Sequence, residues 1–124
     1  MARKVLIADD SSSIRVMLRR VLIDAGYEVA DVADGSLAVG EAEQFCPELV
    51  ITDLNMPNMD GVELIKALRS KASFRFIPIL VLSTEGQQEK IQLGRAAGAT
   101  GWLIKPFQPE KLLAVIRKIL PDRI

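Results

Sequence analysis

The stretch Leu49-Val50-Ile51-Thr52-Asp53 decides the architecture. Its first four residues carry no charge and are apolar or β-branched. A run of this kind reads as a strand buried on both faces, and such strands belong to parallel sheets covered by helices. The run ends at an acid. Outward from it, Val5-Leu6-Ile7-Ala8 ends at Asp9-Asp10, Ile79-Leu80-Val81-Leu82 ends at Ser83-Thr84, and Trp102-Leu103-Ile104 ends at Lys105-Pro106. Residues 28–32 alternate polar and apolar, which suits a strand at a sheet edge.

Helical stretches separate these runs. Ile14, Met17, Leu18, Val21 and Leu22 recur at the spacing of one helix face. One of Ser11, Ser12 and Ser13 caps its start, and Gly26 stands where a glycine ends a helix. A second helix is expected over 35–45. A third follows the loop Asn55-Met56-Pro57-Asn58-Met59-Asp60-Gly61, with Val62, Leu64, Ile65 and Leu68 as its apolar side. A fourth, over 85–97, has a thin apolar stripe and an internal Gly94, which suggests low local stability. Pro109 opens a fifth, with Leu112, Leu113, Ile116, Ile119 and Leu120. Strand and helix therefore alternate five times, and the pattern predicts an α/β, (βα)5 doubly wound five-stranded parallel sheet.

Composition narrows the function. The 124 residues form one domain, residues 1–124, with no expected room for an attached output domain. Sixteen basic and sixteen acidic residues cancel, so nothing favours nucleic acid or an anionic membrane. The chain has no histidine, which excludes His-ligated metal and Ser-His-Asp chemistry within it. The single Cys46 excludes an internal disulfide and reads as a small apolar residue before a turn. No signal peptide or spanning segment is visible, so a cytoplasmic location is expected, without membrane insertion.

In an open parallel sheet, ligands bind beyond the carboxyl ends of the strands. Those ends hold Asp9, Asp10, Asp53, Ser83 and Lys105. Each taken alone has a bland reading, as a helix cap, a loop acid or a turn lysine. Together they form a charge problem: carboxylates at ~5 Å repel by about 3 kcal/mol per pair at an effective dielectric of ~20. Lys105 offsets one charge. A hard divalent cation offsets two more, and Mg2+ binds through one or two carboxylates. A carboxylate beside a metal, an ammonium and a hydroxyl suits phosphoryl transfer.

Asp9-Asp10, Asp53, Ser83 and Lys105-Pro106, with the Asn55–Gly61 loop, resemble the receiver domain of two-component response regulators, the CheY-like single-domain chemotaxis type in particular. The resemblance covers essentially the whole chain. It implies a flavodoxin-like strand order 2-1-3-4-5 and a phosphoacceptor at Asp53. Mg2+ would be held by Asp10, Asp53 and the backbone carbonyl of Asn55, with Asp9 acting through a metal-bound water. Lys105 would meet the phosphoryl oxygens, and the Lys105–Pro106 bond would be cis. Ser83 and Trp102 would form the switch, with Trp102 in place of the usual Tyr or Phe. Asn55 and Glu85 occupy positions that tune dephosphorylation, and both match the fast-resetting type.

The resemblance also implies partners: a histidine kinase as phosphodonor, and a flagellar motor switch protein as target. A phosphate sink and a regulator of a type IV pilus system fit the same residues. A monomer is the default, and the chain is a phosphoacceptor switch, not an enzyme acting on other substrates. Two other classes fit less well. An Asp-nucleophile phosphatase usually carries a second acid where Asn55 stands, and a flavin-binding phosphate loop would be repelled by Asp9-Asp10.

Overall fold

The computed structural model describes residues 2–84 and 88–120. Five strands, β1 (Lys4–Ala8), β2 (Glu28–Val32), β3 (Leu49–Asp53), β4 (Ile79–Ser83) and β5 (Gly101–Ile104), alternate with five helices. These are α1 (Ser12–Asp24), α2 (Gly35–Phe45), α3 (Gly61–Arg69), α4 (Gln88–Ala97) and α5 (Pro109–Ile119), with a 3-10 turn at Ala72–Phe74 before β4. The sheet is parallel in the order β2-β1-β3-β4-β5.

Period-two alternation along the central strands divides the core into two layers. Leu6, Ala8, Val50, Ile79 and Val81 face a cluster completed by Ala38 and Ala42 of α2, Leu64, Ile65 and Leu68 of α3, and Ile91 of α4. Val5, Ile7, Leu49, Ile51, Leu80 and Leu82 face the other cluster, with Leu18 and Leu22 of α1 and Leu112 and Ile116 of α5. Strands β3 and β4 are buried at every residue, whereas β2, at the edge, is buried at none. That difference is the physical origin of the contrast between uniform and alternating runs.

The local signals hold with a few refinements. Ser11 is the cap of α1, accepting from the Ile14 N–H, and Gly26 follows the helix at φ +97°. Asp60 and Glu63 form a reciprocal cap at the start of α3. The expected start of the fourth helix at Glu85 lies outside the described residues. Gly94 also has a place in the packing. A Cβ there would lie 3.9 Å from both Ile65 and Leu54, so this glycine is a buried contact of α4 with α3 and the residue after Asp53. Cys46 is exposed, and it closes α2 in the left-handed region at φ 55°. Among the described residues no helix is long and apolar enough to cross a membrane.

Candidate functional site

The order β2-β1-β3 reverses direction at β1, and the crevice of such a sheet opens beyond the carboxyl ends of β1 and β3. Register places the acids there. Ala8 pairs with Thr52, so the next residues, Asp9 and Asp53, stand side by side. One carboxylate oxygen from each of Asp9, Asp10 and Asp53 lies within 4.8 Å of the others. Asp9 is fully buried, Asp53 nearly so, and Asp10 is exposed at the mouth.

Lys105 reaches in from the end of β5, where its N–H donates to the Ser83 carbonyl at 2.7 Å. Its Nζ lies 3.1 Å from Asp9 Oδ2 and 3.5 Å from Asp53 Oδ2. The Lys105–Pro106 bond is cis, as expected. One ammonium against three carboxylates leaves the ionised cluster with a net charge of −2. Burial pushes the Asp53 carboxyl above the usual carboxylate range, and the charge of Asp9 adds to this. The Lys105 ammonium and the Leu54 N–H, which donates to Asp53 Oδ1 at 2.8 Å, pull the other way.

Ser83 ends β4 with the parity of Ile79 and Val81, toward the α4 side. Its Oγ is buried and has no hydrogen-bond partner among the described residues. A buried hydroxyl without a partner is costly, and it waits for an acceptor. Trp102 lies on the same face, half-buried against that cluster, with the Arg95 guanidinium carbon 4.0 Å from its ring centroid.

The residues fit Mg2+. The donors are oxygen only, three carboxylates converge within the reach of one ion, and the uncompensated charge matches a divalent cation. Asn55 follows two residues after Asp53, exposed at the rim. Its side-chain Oδ1 accepts from Lys90 of α4. A lysine ammonium only donates, so this contact fixes which end of the carboxamide faces α4.

Four supporting residues have roles that motifs alone do not show. Gly61 donates its N–H to the Leu54 carbonyl, and a Cβ on it would lie 2.3 Å from the Asp53 carbonyl oxygen. The Asp-Gly pair of the loop is thus what lets α3 start against the backbone of Asp53. A Cβ on Gly35 would lie 2.1 Å from the Met59 carbonyl oxygen. Asn58, at φ 67°, donates to Asp34, whose carboxylate also caps α2 through the Ser36 N–H. These contacts press the loop 55–60 onto α2. Arg15 is the fourth, with Nη1 donating to the Asp9 carbonyl at 2.7 Å. Its position on the polar flank of an amphipathic helix gave no hint of that contact.

Comparison with known proteins agrees with this geometry. The chain is similar to the chemotaxis response regulator CheY4 of Vibrio cholerae, with 49% identity, a TM-score of 0.92, and coverage of 97% of this chain and 100% of that one. It is similar to the receiver domain of the sensor histidine kinase PA1611 from Pseudomonas aeruginosa, at 25% identity and a TM-score of 0.90, covering 98% and 100%. That structure is described with a magnesium ion coordinated in its active-site cleft. Among curated proteins it is 41% identical over 115 residues to the transcriptional regulatory protein PdtaR of Mycobacterium tuberculosis, covering 92% of this chain and 55% of that protein. It is 32% identical over 117 residues to the DNA-binding response regulator MtrA of Mycolicibacterium paratuberculosis, covering 94% and 51%. The chain spans about half the length of these curated relatives. Residues 5–117 match the response regulator receiver domain, and the chain belongs to that family.

Proposed function

We propose that this chain is a phosphorylation switch of a two-component chemotaxis system, taking a phosphoryl group from a histidine kinase onto Asp53. The observation that carries the reading is the Asp53 carboxylate held 3.5 Å from the Lys105 ammonium inside a three-carboxylate cluster. Asp10, Asp53 and the Asn55 carbonyl would hold Mg2+, with Asp9 beside them through a bound water. When bound, the ion neutralises charge on the phosphoryl oxygens. Oδ2 of Asp53 attacks phosphorus in line as the bond to the donor nitrogen breaks, and Lys105 stabilises the charge on the transferring group. The new phosphoryl oxygens offer the acceptor that Ser83 Oγ lacks among the described residues. Inward movement of Ser83 opens room on the α4 face, where Trp102 lies under Arg95. Hydrolysis of the acyl phosphate resets the switch, with Asn55 and Glu85 at the positions that tune it.

Output by protein contact is supported by the face formed by α4, β5 and α5, where Leu93 and Ile104 are exposed. The 49% identity to a chemotaxis regulator over its full length favours a flagellar motor target in the cytoplasm. The test adds Mg2+ and then a small acyl-phosphate donor while Trp102 fluorescence is followed, with Asp53→Asn as control. The expected result is a donor-dependent change that decays over seconds to minutes, matched by one phosphoryl group on Asp53 by mass spectrometry. No phosphoryl group on the wild type overturns the reading. Phosphorylation-dependent binding of a motor-switch peptide supports the motor target. Phosphorylation without any such binding favours the phosphate sink.

A further inference from the structure

We propose that Arg15, on α1, is a positioning residue for the acidic cluster, acting through the peptide that joins Asp9 to Asp10. The inference rests on the reading of that cluster as a Mg2+ site. Every polar group of Asp9 is held. Its N–H donates to the Val32 carbonyl of β2 at 3.1 Å, Oδ1 accepts from the Ser11 N–H at 2.9 Å, and Oδ2 faces Lys105. Its carbonyl takes the Arg15 Nη1 bond at 2.7 Å.

That carbonyl belongs to the Asp9–Asp10 peptide plane, so the bond fixes the rotation that carries Asp10. Asp10 is exposed, and no hydrogen bond from the described residues holds its carboxylate. Its place within 4.8 Å of Asp9 and Asp53 is therefore inherited from its backbone. Arg15 is itself anchored from the other side: Nε donates to Asp31 Oδ2 of β2 at 3.1 Å. Arg19, one turn along α1, shares Asp31 through Oδ1 at 3.0 Å and also reaches the Val29 carbonyl at 3.2 Å, but it makes no contact with Asp9. The chain Asp31–Arg15–Asp9 carbonyl thus ties the edge strand to the metal-facing peptide, whereas Arg19 ties the same strand to α1 alone. Partners behind a metal ligand commonly govern affinity by 10–100-fold.

The sign of the effect separates this role from simple charge. A cation near a cation site repels the ion, so by charge alone Arg15→Met tightens Mg2+ binding. By positioning, it weakens binding. Isothermal titration of the full chain with Mg2+ alone is expected to show Arg15→Met weakened about 10-fold or more. Arg19→Met should stay within about twofold of wild type, and Arg15→Lys should recover part of the loss, since one ammonium replaces a two-pronged donor. The Mg2+-dependent rise in melting temperature should shrink in parallel. Equal or tighter binding by Arg15→Met, or an equal loss in Arg19→Met, overturns the proposal. If Arg15→Met does not fold, Arg15→Lys, which keeps the charge and gives up the fork, should by itself bind Mg2+ more weakly than wild type, and unchanged affinity there overturns it as well. Failure of the wild type to bind Mg2+ instead sinks the metal-site reading, and is seen before any variant is made.

Discussion

The two ends of the sheet solve opposite electrostatic problems. At the carboxyl ends of the strands, among the described residues, three carboxylates share one ammonium, and a buried hydroxyl has no partner. At the other end, Arg69, in the last turn of α3, spreads one guanidinium over four carbonyls. It donates to Gly98 at 2.8 Å, Ile77 at 2.7 Å, Phe74 at 2.8 Å and Arg75 at 3.2 Å. The Gly98 carbonyl belongs to the turn that closes α4, with Gly98 at φ +116°. One end leaves polar groups unsatisfied and so is ready to take charge and ligand. The other satisfies them and holds α3, α4 and the approach to β4 together. The comparison teaches that the fold leaves charge uncompensated at one end of its strands while it satisfies polar groups at the other.

The contrast is broken most severely by Arg69→Met. Stranding three partly buried carbonyls and one exposed one is expected to cost about 2–4 kcal/mol in urea denaturation, while Mg2+ affinity at the far end changes little. A comparable loss of Mg2+ binding would show that the two ends are not independent. Gly61→Ala comes next. The added Cβ meets Asp53 backbone, which cannot yield as a flexible side chain does, so a loss of about 1–3 kcal/mol is expected together with weakened Mg2+ binding.

Asp53→Asn moves stability the other way. The raised pKa of Asp53 means that its protonated form is favoured in the fold. Its contribution is present below the ordinary carboxylate range and is lost as pH rises through the raised value. In metal-free buffer at neutral pH the neutral amide should therefore be more stable than wild type. The gain should fade as the solution is acidified, and denaturation curves at several pH values check both features. Gly40→Ala sharpens the comparison with the smallest effect. Gly40 lies inside α2 with nothing within 4 Å of a new Cβ, so alanine should add about 0.5–1 kcal/mol without touching the site. Loss of stability there would mean that α2 is held more tightly than its surroundings indicate.

Most of the site was legible because it is built from strand ends. A buried strand announces itself by an uninterrupted apolar run, and the residue that ends the run must stand at the sheet edge. Asp9, Asp53, Ser83 and Lys105 follow from that rule. Arg15 and Gly61 do not. Arg15 acts through a backbone carbonyl six residues back, and any residue has a carbonyl, so composition carries no trace of the contact. Gly61 acts by the atoms it lacks, and the need for their absence arises from the approach of α3 to Asp53. Gly94 was legible as a glycine, but its place against Ile65 and Leu54 was not, since that contact exists only once α4 packs on α3.

Hydrophobic periodicity is a property of neighbours along the chain, and it is strong here because three strands are nearly or wholly buried and the helices are amphipathic. The ten alternating elements, the layers and the chemistry of the strand ends follow from it. Distances between strand ends are set by register and by which strands are neighbours, and no local pattern encodes these. Only the assembled sheet brings Asp9 beside Asp53 and lets Lys105 reach both. The same assembly leaves Ser83 without a partner among the described residues and brings Arg15 to the carbonyl of the peptide beneath the acids.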